Sequence, residues 1–309
     1  MNTPPPIIAL VGPTAVGKTA LALTLARRFG AEIVGCDASQ IYLGMDIGTG
    51  KVRPDEAAGV PHHLIDVVRP DAPFDAGAYA RLADAALADI RTRRGRALIC
   101  GGTGLYLRAL VEGLCEAPPV APEIRAELLS QLAAGEGTRL HAELARVDAA
   151  AAARIFPADH PRLERALGVF RTTGRSLSDW QAEGRAATPR YDVRTLGLTM
   201  PRETLRRRIA ERSAAMFERG LLEEVRDLEA AGFSRDLKSM QAIGYRQASA
   251  VLHGELSRDA AIRLTIDATR QYAKRQETWF RALPNVVWHT APPDLAAVEA
   301  WVAGHWGSP

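Results

Sequence analysis

Gly12-Pro13-Thr14-Ala15-Val16-Gly17-Lys18-Thr19 follows the apolar run Ile7 to Val11 and precedes the helix-like Ala20-Leu21-Ala22-Leu23-Thr24-Leu25-Ala26. It is a GxxxxGKT phosphate-binding loop in the setting that motif requires: a buried strand, a glycine turn and a helix N-terminus. Gly12 and Gly17 permit positive φ and close backbone approach, so successive amides converge on one anion while the helix adds the positive end of its dipole. In such a loop Lys18 reaches the outer phosphates and the Thr19 hydroxyl ligates Mg²⁺. Gly12 to Thr19 is therefore the expected diphosphate-binding set, and the motif leaves open which diphosphate it holds.

The 309 residues are 47% hydrophobic, enough for a full α/β core plus a smaller second unit. A net charge of only +3 excludes a global basic field, so any nucleic-acid contact must come from a local patch. No apolar run approaches the length of a membrane span and the N-terminus lacks a signal-like core, so a cytoplasmic protein without membrane contact is expected. Cys36, Cys100 and Cys115 are too scattered for a disulfide framework or a CxxC metal site, and read as reduced thiols. Arginine dominates the basic residues. The only lysines are Lys18, Lys51, Lys238 and Lys274, where a compact ammonium has been kept.

Along the chain, the helix opened by the loop runs to Phe29, and Gly30 stops it. Glu32 to Cys36 reads as a second strand ending at Asp37-Ala38-Ser39-Gln40. Strand C-termini of an open parallel sheet converge on the ligand crevice, so Asp37 is expected to point at whatever the loop holds. Tyr42 to Pro61 is a glycine-rich loop over the same edge, and His62 to Val68 is a third strand candidate. His62 and His63 would face opposite sides of it, which argues against a shared metal. Asp75 caps a helix from Ala76 to Arg94, and the buried strand Ala97 to Cys100 closes on Gly101-Gly102-Thr103-Gly104 before a helix from Leu105 to Leu114.

From Pro118 to Pro189 the text is helical and alanine-rich, broken at Gly135-Glu136-Gly137, Phe156-Pro157 and Thr172-Thr173-Gly174. Arg154, Arg162, Arg165, Arg171 and Arg175 share helix faces there, which suits either a solvated surface or a phosphate-backbone contact. Asp192 to Met200 restores a strand, and Pro201 opens a helix carrying Arg206, Arg207, Arg208 and Arg212. Helices follow at Leu221 to Ala231, Ala248 to His253 and Ser257 to Leu283, then a last strand, Val286 to His289, and a closing helix, Pro293 to Trp306. The expected fold is α/β: a P-loop-type parallel-sheet core of residues 1–117 and 190–309, interrupted by an all-helical domain of residues 118–189 and completed by a helical C-terminal portion. Nothing in the pattern implies a protein partner, and a monomer is expected.

A phosphate loop most often serves ATP or GTP hydrolysis or small-molecule phosphorylation. Enzymes of that kind usually carry an apolar strand ending in an Asp that helps hold Mg²⁺. Here the strand Ala97 to Cys100 ends in Gly-Gly-Thr, although Asp66 could take that part. The rim gathers Lys18, Thr19, Asp37, Ser39, Gln40 and Thr103, with arginines from Arg208 onwards. A carboxylate facing a bound diphosphate can act as base towards an incoming nucleophile while the loop holds the leaving group, which suits transfer of an allylic carbon. Phosphoryl transfer would use the same parts differently, so the residues alone leave a kinase and an ATP-gated RNA-binding switch open as well.

Several stretches resemble the bacterial tRNA dimethylallyltransferase (IPP transferase) family: GPTAxGKT at Gly12 to Thr19, Asp37-Ala38-Ser39-Gln40-Ile41-Tyr42, Met45-Asp46-Ile47-Gly48-Thr49, Pro61-His62-His63-Leu64-Ile65-Asp66, Gly101-Gly102-Thr103-Gly104-Leu105-Tyr106, Gly244-Tyr245-Arg246 and Lys274-Arg275-Gln276-Glu277-Thr278-Trp279-Phe280-Arg281. The resemblance runs in register over nearly the whole chain. It implies that the loop, Gly12, Pro13, Thr14, Ala15, Val16, Gly17, Lys18 and Thr19, holds dimethylallyl diphosphate with Mg²⁺, rather than ATP. The acceptor implied is the N6 amine of the adenosine just 3′ of the anticodon in tRNAs reading codons that begin with U. Three catalytic roles carry over: Asp37 as base, Thr19 on the diphosphate and its Mg²⁺, and Arg208 on the pyrophosphate. Asp37, Ala38, Ser39, Gln40 and Thr103 would touch the flipped adenosine. Arg125, then Pro161, Arg162, Leu163, Glu164 and Arg165, and then Gln241, Ala242, Ile243, Gly244, Tyr245 and Arg246 would meet the tRNA anticodon stem-loop. Val16 stands where the family commonly has serine, a position that acts mainly through its backbone amide. A free-nucleotide (adenylate) prenyltransferase would share the core but would have no need of the 118–189 insert.

Overall fold

A computed structural model of the chain describes residues 5–115, 117–183 and 189–308; residues 1–4, 116, 184–188 and 309 of the expected domains lie outside the described residues. The contacts divide the chain into one unit of Met1–Val111 with Tyr191–Pro309 and a second of Glu112–Arg190.

The first unit is built on strands β1 (Ile7–Val11), β2 (Ala31–Cys36), β3 (His62–His63) and β4 (Arg96–Gly101), with helices α1 (Lys18–Phe29), α2 (Pro54–Ala57), α3 (Ala76–Thr92) and α4 (Gly104–Glu112) between and after them. All neighbouring strands pair in parallel. Because side chains alternate along a strand, β1 feeds both faces of the sheet. Ile7, Ala9 and Val11 pack with Tyr79, Ala83 and Leu87 of α3. Ile8 and Leu10 pack with Leu21, Leu25 and Phe29 of α1.

The second unit is all-helical among the described residues: α5 (Pro122–Ala133), α6 (Gly137–Val147), α7 (Ala149–Ala152), α8 (His160–Thr173) and α9 (Leu177–Glu183). It has its own core, in which Leu128, Leu132, Leu140, Leu144, Leu163 and Leu167 meet. The chain then returns to the first unit as β5 (Val193–Thr199), α10 (Arg202–Glu218), α11 (Leu221–Ala230), α12 (Tyr245–Leu252), α13 (Arg258–Arg281), β6 (Val286–Thr290) and α14 (Leu295–Trp306). The strand order is β3-β2-β4-β1-β5-β6, so β1 and the phosphate loop that follows it sit mid-sheet. No described helix is long and apolar enough to cross a membrane.

The structure departs from the sequence-based expectation most clearly at the third strand, which is two residues long rather than seven. Leu64 and Asp66 take positive φ of 61° and 55°, which ends the extension immediately after His63. The two histidines also part company: His62 Nδ1 lies 2.8 Å from the Val60 carbonyl, and His63 Nε2 lies 2.7 Å from Glu32.

Leu163 is fully buried in the core of the second unit, so its truncation leaves a cavity there. Leu163→Ala should cost about 2–5 kcal/mol of that unit's stability. Hydrogen exchange at the α8 amides is expected to quicken while amides of β1 and β4 keep their protection.

Candidate active site

The loop between β1 and α1 is shaped by backbone crowding as much as by its ligand. Gly12 has φ +144°, and a Cβ there would stand 2.5 Å from the Leu198 carbonyl oxygen of β5. Only glycine fits. Ala15 is held at φ 63°, a left-handed conformation that costs about 1–2 kcal/mol for a residue with a Cβ. Lys18 Nζ donates to the carbonyls of Gly12 (2.9 Å) and Pro13 (2.8 Å), folding the ammonium back under the loop. Desolvation by burial pulls its pKa down to about 8; Arg212 pushes the same way, while Cys100, Asp37 and Cys36 oppose it.

This loop floors a cavity of about 570 Å³ whose walls include Thr14, Lys18, Thr19, Asp37, Arg208 and Arg212. Lys18 comes to it from α1 and the two arginines from α10, with Arg219 just beyond that helix. Arg212 donates to Thr14 Oγ1 at 3.2 Å and to the Thr49 carbonyl at 3.4 Å. Its pKa is lowered, first by burial and then by Arg219 and Arg208, with Asp37 acting in the opposite sense. Like charges held together out of water favour an anion between them.

Asp37, at the end of β2, also lines a second cavity of about 310 Å³, and Thr14, Thr49 and Arg212 are shared in the same way. The second cavity is more apolar, with Ile209, Met216, Ala242, Ile243, Tyr245 and Tyr272 among its walls. Asp37 Oδ1 accepts from the Ser39 amide at 2.9 Å, which sets the carboxylate at the boundary. Thr103 does not line either cavity; its hydroxyl accepts from the Ala38 amide at 3.0 Å and so supports Asp37 from behind. Cys36 and Cys100 lie alongside as free thiols, pushed up by burial to about 12 and about 11, so both stay protonated at neutral pH.

The loop over the edge is pinned by two ionic groups, one buried and one half-buried. Lys51, with its side chain 4% exposed, bonds to the Tyr42 carbonyl, to Asp46 and to Asp66. That use accounts for both the retained ammonium and Asp66, whose carboxylate is committed to a loop clamp. Glu224 of α11 accepts from the amides of Asp46 (3.0 Å), Ile47 (2.7 Å) and Gly48 (3.4 Å) and from the Tyr245 hydroxyl (2.5 Å). Thr49 and Gly50 are thereby set in place, and their carbonyls hold Gln40.

Of the expected site residues, the structure brings Thr14, Ala15, Gly17, Lys18, Thr19, Asp37, Gln40 and Arg208 to the first cavity. Ala38, Ser39, Gln241, Ala242, Ile243 and Tyr245 line the second. Gly12, Pro13 and Val16 lie behind the loop, Gly244 is buried and Arg246 is exposed outside both cavities. In the second unit, Pro161 and Arg162 are exposed, Leu163 and Glu164 are buried, and Arg125 pairs with Glu164 at 3.7 Å. Arg165 donates to the carbonyls of Pro118 and Ala117, Arg171 pairs with Glu127 and Glu143, and Arg175 with Glu183. Lys274 faces a different groove, beside Met200 and Arg206, whereas Gln276 of the same helix lines the first cavity. Gln276, Tyr272 and Arg219 are among the lining residues to which sequence reasoning assigned no role. Tyr272 and Gln276 are one turn apart on α13, and Gln276 falls within the Lys274 to Arg281 stretch, but neither position carries a sign of what the helix meets.

The IPP transferase family model matches residues 40–283. A curated relative, the tRNA dimethylallyltransferase of Geobacter metallireducens, is 48% identical over 299 residues, covering 96% of each chain. Among solved structures, the full-length tRNA isopentenylpyrophosphate transferase of Bacillus halodurans superposes with a TM-score of 0.72 at 35% identity, over 97% of this chain and 96% of that one. A eukaryotic dimethylallyltransferase captured acting on tRNA gives a TM-score of 0.80 at 25% identity, over 98% of this chain and 80% of that one.

The lowered Lys18 pKa sets a pH dependence for anion binding. A bound diphosphate favours the ammonium and raises that pKa again, so binding near and above pH 8 takes up a proton, and affinity falls as pH rises through that range. Calorimetry of pyrophosphate binding in two buffers of different ionisation enthalpy should show an uptake that grows from pH 7 to pH 9 and is missing from Lys18→Met.

Proposed function

The chain belongs to the IPP transferase family of tRNA dimethylallyltransferases, and from that premise we propose that it transfers a dimethylallyl group from dimethylallyl diphosphate to the N6 amine of the adenosine 3′ to the anticodon, in tRNAs reading codons that begin with U. The observation that carries this reading is the placement of Asp37 on the wall common to a cationic cavity and a more apolar one. A diphosphate fits the first by charge; a flat, extruded base fits the second by its aromatic and aliphatic lining. The reacting carbon and the amine would then meet beside the carboxylate.

In the transfer, the bond from the allylic carbon to the diphosphate oxygen breaks as the bond from N6 to that carbon forms. Asp37 takes the amine proton on the carboxylate oxygen other than Oδ1, which accepts from the Ser39 amide. Lys18, Arg208 and Arg212 meet the charge that grows on the departing pyrophosphate. The donor set suits Mg²⁺: the Thr19 hydroxyl opens into the cavity, and a hard cation of this kind takes its remaining ligands from phosphate oxygens and water. When bound, Mg²⁺ would neutralise part of the leaving-group charge. An adenine stacked in an anticodon loop has to be extruded to reach such a site, at a cost of a few kcal/mol recovered by contacts elsewhere. The helical insert, residues 118–189, is the proposed source of those contacts to the RNA backbone.

Labelled dimethylallyl diphosphate incubated with the protein, Mg²⁺ and an anticodon stem-loop should leave label in the RNA. Label only in free AMP, or turnover only with ATP, would overturn the reading. Asp37→Ala is expected to lower turnover by about 10²- to 10⁴-fold with RNA affinity nearly intact. Arg162, whose side chain is 67% exposed, is the insert arginine to test: Arg162→Ala should weaken RNA binding and flatten the slope of log K against log salt by about one. An unchanged slope would return Arg162 to a solvated surface.

A further inference from the structure

Gln276 reaches the phosphate loop from the far end of the chain. It sits on α13, 4% exposed, and its Oε1 accepts from the Thr14 amide at 2.8 Å across 262 residues. Its Nε2 donates to the Gly102 carbonyl at 2.9 Å, just past β4. One turn earlier on the same helix, Tyr272 lies close to Thr103 and Gln276. Thr103 holds the Ala38 amide, next to Asp37. Thr14 is held again through its side chain by Arg212. The loop is therefore tied through Gln276 to Gly102, and through the adjoining Thr103 to the Ala38 amide beside Asp37.

We propose that Gln276 is a positioning residue for the transfer reaction, one that keeps the diphosphate cradle and the Asp37 rim at a common spacing. An amide suits that role because its oxygen accepts from a backbone N–H while its nitrogen, on the same carbon, donates to a backbone carbonyl. With the Thr14 amide committed to Gln276, the loop is fixed before any anion arrives. The spacing matters because the electrophilic carbon is carried by the cradle and the proton acceptor by the rim, and a displacement of about 1 Å between reacting groups costs on the order of 10²-fold in rate. The inference rests on the prenyl-transfer reading above.

The test compares Gln276→Ala and Gln276→Glu in the full chain. Gln276→Ala should lose about 10- to 100-fold in kcat while the KM for the anticodon stem-loop stays within about twofold. Gln276→Glu keeps the acceptor for Thr14 but donates to Gly102 only when protonated, so its kcat relative to wild type should rise at least about tenfold from pH 8.5 to pH 5.5. A pH-independent ratio, a wild-type kcat in Gln276→Ala, or a loss confined to the KM for RNA would each overturn the proposal. Should Gln276→Ala fail to fold, judged by its melting transition, the pH ratio of Gln276→Glu decides alone. A wild-type protein unable to prenylate RNA would sink the underlying reading, whereas active wild type with unaffected Gln276 variants sinks only this inference.

Discussion

Moving a diphosphate from water into a protein crevice demands that its charge be met by donors already in place, since reorganising them at the moment of reaction would forfeit most of their effect. Much of this structure can be understood as the means of keeping those donors in place. The loop that supplies the amides follows the strand with β4 on one side and β5 on the other, and Gly12 is pressed against the Leu198 carbonyl. Lys18 is folded under the loop, Arg208 and Arg212 come from α10, and Gln276 comes from α13. The cost is visible in the pKa values: Lys18 and Arg212 are both lowered by desolvation. A bound diphosphate offsets that penalty.

A second set of charges works structurally rather than chemically. Lys51 and Glu224 are each surrounded by three or more fixed partners, and together they hold residues 42–50 against the edge of the site. A buried or half-buried charge contributes to stability only when its hydrogen-bonding capacity is filled, and both are well filled. The effect reaches the chemistry through Thr49, whose carbonyl accepts from Arg212. Arginine could not replace Lys51 at such a point, because three acceptors around one compact ammonium do not match a planar fork.

The proposed reaction assigns one reactant to each cavity. A leaving group that departs as an anion belongs beside Lys18 and the α10 arginines, and an aromatic acceptor belongs beside Tyr245 and Tyr272. Asp37 is the carboxylate among the residues that line both cavities. The helical unit is a separate packing problem with its own leucine core; Arg165, Arg171 and Arg175 are committed to partners within the unit, while Arg162, although paired with Asp159 at 3.1 Å, keeps most of its surface open to solvent.

The phosphate loop, the parallel strands and the helical run between them were legible in the sequence because each leaves a local signature: a glycine spacing, an apolar run, or a 3.6-residue period broken by Gly and Pro. Asp37 was legible by a further step, since a residue at the end of a parallel strand must face the crevice. The shortness of β3 was hidden, because positive φ at Leu64 and Asp66 depends on bonds to Lys51 and to the Gln40 and Ile41 carbonyls rather than on residue type. Gln276 and Glu224 were hidden for the same reason. Their partners lie between about 20 and 262 residues away, and a contact across that separation is made by the packing of helices on a sheet, which no short stretch of sequence encodes. The sequence by itself thus determined what kind of anion site the chain builds. Only the tertiary structure decided which distant side chains tie that site to the strand end that carries Asp37.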